Sequence, residues 1–214
     1  MHRADALVRE LLRQGGRTYA EQAGIRLANR PAPLYQLLVL TVLVSIPIRA
    51  DVAVAAAREL FAAGWTTPHA LLASSWQERV DALGRAHYVR YDESTATRLA
   101  EGARLLLDRY RGDLRRLREA AGGDRAELRR RLQEFPRIGP VGADVFCREA
   151  QAVWPELRPY LDRRALTAAH DLGLPTDPDR LAELVAANDL ARLAAALVRA
   201  GLDRRLAEKI RAAA

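Results

Sequence analysis

The chain has 214 residues, half of them apolar, and carries a formal net charge of +7 with a pI of about 10.2. That length supports one or two domains with a real core, while its one cysteine, Cys147, excludes an intrachain disulfide, a four-cysteine cluster and a cysteine-built zinc site. The basic excess favours a polyanionic partner, most simply nucleic acid.

Ala, Leu and Arg dominate and aromatic residues are few, which predicts an all-α protein. The four histidines, His2, His69, His87 and His170, have no metal-ligand spacing. The opening residues MHRADALVRELLRQ read as a charged amphipathic helix and not as a signal peptide. Helices are expected over Ala4–Gln14, ended by Gly15-Gly16, and over Tyr19–Leu27, with Pro31 and Pro33 marking a joint. Leu34–Ser45 reads as a buried central helix, followed by the break Ser45-Ile46-Pro47-Ile48-Arg49. The apolar run from Leu34 to Ile48 is shorter than the ~20 residues a membrane span needs. The expected location is the cytoplasm or nucleoid.

Next come Asp51–Ala63 with Gly64 as C-cap, a short helix capped by Thr67-Pro68, and a helix capped by Ser75 whose Trp76–Leu83 face is expected in the core. A loop follows from Gly84 to Asp92, then helices over Glu93–Tyr110 and Asp113–Ala121. The turn Gly122-Gly123-Asp124 caps Arg125–Phe135. Beyond residue 150, Asp162 is placed to cap Arg163–Leu172, Asp177-Pro178 opens another helix, and two helices close the chain, Ala191–Ala200 and one from about Asp203.

The most informative stretch is Leu132–Ala152, LQEFPRIGPVGADVFCREAQA. Pro136 stops one helix, Gly139 gives a backbone free of side-chain bulk, and Pro140 suits the first turn of the next. Ala143, Phe146, Cys147 and Ala150 then recur at helical spacing. Such a hairpin presents free N–H groups to a phosphate, and Arg129, Arg130, Arg131, Arg137 and Arg148 flank it. An αα-corner that merely packs gives the same pattern.

FPRIGPVGAD resembles the LPGIG-type hairpin of the helix-hairpin-helix DNA glycosylases, the endonuclease III superfamily, and PYLDRRALTAAHDLGL resembles that family's VDTHVxRVxxRLGL segment. The resemblance reaches upstream to about Leu34. It implies an all-α, two-lobed helix-hairpin-helix DNA glycosylase-like fold, with 34–135 as a helical-bundle lobe and 1–33 with 136–214 as the second. It implies double-stranded DNA as partner; no membrane association and a monomer are expected beside it. The hairpin residues Arg137, Ile138, Gly139, Val141 and Gly142, with Arg163 and Arg164, would bind DNA. The two arginines after Asp162 are equally a solvated pair.

Asp162 falls where the family keeps its catalytic carboxylate, which stabilises positive charge developing on the sugar and orients the attacking water. Read alone, Asp162 is a helix cap, and the two roles are compatible. Val141 stands where bifunctional relatives carry a nucleophilic lysine, and the only lysine, Lys209, is far along the chain. Lysine-dependent lyase action is therefore not expected.

Three departures from the pattern matter. Arg137 replaces the first hairpin glycine, where a positive backbone dihedral is costly, so a distorted turn or a direct phosphate contact is expected. The family's glutamine wedge is missing, and Ile48 or Arg49 is placed to fill the gap left by a flipped base. The spacing from Gly139 to Asp162 is a few residues longer than in near relatives. The loop His87-Tyr88-Val89-Arg90-Tyr91 aligns with a cleft-facing segment, so Tyr88 and Tyr91 either stack on that base or pack. No cofactor is expected: the iron–sulfur cluster has no ligands, which leaves a monovalent cation at the hairpin as the one ion to consider. The resulting function is a monofunctional base-excision glycosylase. Its alternative is a non-catalytic DNA-binding protein on the same scaffold, and an N-terminal-amine lyase using Met1 ranks last.

Overall fold

A computed structural model describes residues 3–213, and every regular element among them is helical. The chain forms two compact units: Ala20–Phe146, and residues up to Tyr19 together with Cys147 onward. No helix among the described residues is long and apolar enough to cross a membrane. Met1 and His2 lie outside the described residues.

In chain order, α1 is Arg3–Gly15 and α2 is Tyr19–Gln22. The helix expected over Tyr19–Leu27 thus stops after one turn, because Gly24 adopts φ 77° and the Ile25 N–H returns to the Ala20 carbonyl at 2.9 Å. Next come α3, Pro31–Val44, and α4, Ala50–Ala62. The prolines expected to separate helices instead open α3, where missing N–H groups cost nothing. Leu34, Leu37, Leu38, Val39, Leu40, Val42 and Leu43 are buried around α3, which makes it the core helix of its unit.

Around it stand α5, Pro68–Ala73, α6, Trp76–Arg85, α7, Asp92–Tyr110, and α8, Leu114–Ala120. The Ser75 hydroxyl accepts the Glu78 N–H at 3.2 Å while Glu78 accepts the Ser75 N–H at 2.7 Å, a complete capping box. The expectation that Trp76 lies in the core is corrected: it is 41% exposed and its indole N–H donates to Thr97 Oγ1 at 3.1 Å. Arg79, one turn on, is buried instead and donates to the carbonyls of Ala96, Leu71 and Ser74.

The hairpin helices are α9, Arg125–Leu132, and α10, Pro140–Ala150. The second unit completes with α11, Arg163–Asp171, α12, Pro178–Ala182, α13, Leu190–Leu202, and α14, Arg204–Ala213. Here α13 packs on α1, α11 and α14. Leu7, Leu11, Leu161, Leu193 and Leu197 are buried in its core. A Cβ on Gly15 would lie 3.1 Å from the Ala196 backbone, so glycine lets α1 close on α13. Arg192 and Arg199 cover the carbonyls of Gly15, Gly16 and Arg17 at the end of α1.

The division differs from the expected lobes 34–135 and 1–33 with 136–214: residues 20–33 and the hairpin up to Phe146 group with the bundle. Phe135 stacks on Tyr110 of α7, with ring centroids 6.4 Å apart, and Arg58 of α4 donates to the Gln22 carbonyl. Those contacts tie both segments to the α3 unit.

Candidate nucleic-acid interface and active-site carboxylate

The hairpin is built on three buried anchors, Leu132, Phe135 and Ile138. Tight turns link them: Phe135 N–H donates to Leu132 O at 3.2 Å, and Ile138 N–H to Phe135 O at 3.1 Å. Arg129 of α9 faces Asp144 of α10 at 3.0 Å. Ala143 N–H is the first of α10 to find a backbone carbonyl, that of Gly139 at 2.9 Å. Helix starts leave their earlier donors unspent, and such donors attract anions.

Arg137 does not distort the turn as expected. Its backbone adopts φ 69°, the left-handed region that favours glycine, at a cost of about 1–2 kcal/mol. Its guanidinium donates to Ser94 Oγ at 3.0 Å. Gly139 needs no positive φ, and a Cβ there would meet nothing within 4 Å, so its value is open access to the backbone.

Two loops of this unit meet beside the hairpin. The turn after α3 arrives because Gly142 packs on Ser45, whose Oγ would lie 2.5 Å from an added Cβ. The loop before α7 arrives because Tyr88 donates to the Leu43 carbonyl at 3.2 Å. The Arg137–Ser94 bond joins the hairpin to the start of α7. Exposed Arg49 and Arg90 lie on these loops, and exposed Arg137 on the hairpin. Val89, 62% exposed, is a large apolar side chain on the loop before α7, and Val141, 45% exposed, is another in the first turn of α10. Ile48 is half-buried, and Arg49 pairs with Asp51 at 2.6 Å. Tyr91 is half-buried, with the Arg90 guanidinium 5.3 Å from its ring centroid.

Tyr88 requires correction. It is fully buried, and burial pushes its phenol up to about 12. A ring with no exposed surface is core, not a stacking platform. Ile138 and Gly142 are also buried, which makes both packing positions of the hairpin.

Asp162 belongs to the other unit. Its Oδ1 accepts the Ala165 N–H at 3.1 Å, the N-cap bond of α11. Its Oδ2 accepts from the Arg148 guanidinium, on the last turn of α10. The two side chains are 6% and 5% exposed. Gln151, fully buried, accepts the Tyr160 N–H at 2.9 Å and donates to the Tyr160 carbonyl at 2.9 Å, which fixes the strand of chain entering Asp162. Arg158 donates to the carbonyls of Gln151 and Ala152. Arg163 and Arg164 are exposed and line an open cavity of about 410 Å³ with Thr167, Val198 and Leu202.

Sequence reasoning placed Arg148 only among the flanking arginines and missed Gln151. Both lie in the buried run Val145–Gln151, where polar residues among apolar ones were the available signal. Among the described residues no group of three His, Cys, Asp or Glu could hold a metal ion. A cation at the hairpin would rest on backbone carbonyls, since the nearby carboxylate of Asp144 is paired with Arg129.

No family model and no curated protein matches the sequence. Two solved structures of endonuclease III with DNA are similar, one a trapped covalent intermediate in an estranged-adenine complex and one non-covalent. Each is 18% identical with a TM-score of 0.48, covering 85% of this chain and 82% or 81% of its own.

Proposed function

We propose that this protein binds duplex DNA through its hairpin and releases a damaged or mispaired base by hydrolysis, with Asp162 as the carboxylate that faces the sugar. The observation that carries the reading is Asp162 itself. It caps the first α-helix after the hairpin helix, in a segment held by Gln151. The hairpin's left-handed Arg137 and the exposed arginines around it supply phosphate contacts. N-glycosidic cleavage passes through an oxocarbenium-like state, and a fixed carboxylate lowers its energy. The base must first leave the stack, which costs least for a damaged one.

A second reading, a DNA-binding protein without turnover, is favoured by the burial of Asp162 and its pairing with Arg148. Single-lesion duplexes scored for strand breaks with and without hot alkali decide between them. Alkali-dependent breaks that Asp162→Asn abolishes support the glycosylase. No release on any lesion, with tight duplex binding retained in Asp162→Asn, supports the second reading. Both require binding that weakens steeply with salt.

A further inference from the structure

We propose that Arg148 is a latch on Asp162: it closes the carboxylate in the free protein and is drawn away by a phosphate of the bound duplex. The purpose of the latch rests on the glycosylase reading; its geometry does not. The Asp162 carboxylate has one oxygen on the Ala165 N–H and the other on the Arg148 guanidinium, and both side chains are nearly buried. In direct contact and shielded from water, the two charges largely cancel. A sugar gaining positive charge is stabilised by a net negative neighbour, and a carboxylate tied to a guanidinium offers little of that field. The closed pair is therefore a resting arrangement.

Arg148 cannot simply swing aside. A guanidinium this buried, left without an anion, is strongly unfavourable. Another anion must take the place of Asp162, and the substrate brings one. A phosphodiester accepts a guanidinium in the same bidentate manner as a carboxylate. The partner that stays is Asp162, because its segment is tied at Tyr160 by Gln151 and its side chain caps α11. Arg148, on a long rotatable side chain, is the partner that moves. Opening then follows DNA binding, which keeps the carboxylate covered until a substrate is present.

The test is single-turnover base release at saturating enzyme, with duplex affinity measured beside it, for Arg148→Gln and Arg148→Lys. The latch predicts that Arg148→Gln leaves the saturated rate at or above wild type and weakens duplex affinity by about tenfold, the weight of one charge-assisted hydrogen bond. Arg148→Lys keeps the saturated rate near wild type and weakens affinity less than Arg148→Gln does, because lysine keeps the charge but loses the bidentate fork. Either a tenfold fall in the saturated rate or an unchanged affinity in Arg148→Gln overturns the proposal, since a group that merely positions Asp162 acts on rate and not on affinity. A second measurement uses the wild-type protein alone. The Arg148 Nε–H resonance, assigned with Arg148→Lys, is followed by NMR as a short undamaged duplex is added. A shift with faster solvent exchange supports the latch, and an unchanged signal in the saturated complex overturns it. If wild type releases no base from any lesion, the glycosylase reading fails and the NMR result alone decides the latch.

Discussion

The Arg137 guanidinium donates to the Ser94 hydroxyl at 3.0 Å while the Arg137 backbone sits at φ 69°. A side chain is thus retained where glycine is the easier residue. Strain at a turn is a lead to function when the surrounding structure holds it in place, and here buried Phe135 and Ile138 do so. Arg137→Gly is expected to relieve about 1–2 kcal/mol of backbone cost and to give back about 0.4–1 kcal/mol through the freer unfolded chain. Thermal melting should rise by about 2 °C. Duplex binding should weaken, with its log–log salt slope reduced by about 1. A melting temperature that falls, or an unchanged slope, contradicts the assignment.

Val141 is 45% exposed in the first turn of α10, so the position accepts a longer side chain without repacking. Wild type should give no borohydride-trapped adduct with abasic duplex, because valine has no nucleophile. Val141→Lys should gain one. Trapping by wild type would point to another amine, that of Lys209 or of Met1.

The helix caps were legible because each is a local signal. Thr67, Ser75, Asp124, Asp162 and Asp177 all accept the N–H groups that their spacing implies. The hairpin was legible for the same reason: Pro136, Gly139 and Pro140 constrain only their own backbone. What the sequence hid depends on partners far apart in the chain. Arg148 meets Asp162 across 14 residues and Tyr88 meets Leu43 across 45, with no periodic mark of either. Tyr88 reads as a loop residue, yet α3 leaves it a slot. The unit boundary falls inside α10, between Phe146 and Cys147, where helical periodicity runs unbroken.

Gly142 sets the seat of α10 on the end of α3. An added Cβ would lie 2.5 Å from Ser45 Oγ and 3.3 Å from Ile138 Cγ2. Ser45 cannot rotate away freely, since its hydroxyl donates to the Thr41 carbonyl at 2.6 Å. Gly142→Ala should cost about 1–3 kcal/mol as an overpacking change. Adding Ser45→Ala should recover part of that loss, because the Ile138 contact remains. Denaturant unfolding of both singles and the double closes the cycle; simple additivity would separate the two residues and remove this account of the hairpin's placement.

Alkaline unfolding should report the burial of Tyr88 and Tyr35. Burial pushes Tyr88 up to about 12, and it raises Tyr35 further in the same direction, with its hydroxyl buried and unpartnered. In each case the fold favours the protonated phenol over the ordinary value near 10. The resulting stability is fully present below pH 10 and is lost as pH rises through about 12 for Tyr88. Both should ionise only as helicity disappears, which phenolate absorbance and circular dichroism followed together will detect. Tyr88→Phe should give up the bond to the Leu43 carbonyl, worth about 1 kcal/mol, and should also remove part of the steep loss of stability between pH 10 and 12. Its duplex affinity should match wild type, because a buried ring touches no base. A weaker-binding Tyr88→Phe would return Tyr88 to the interface from which its burial removes it.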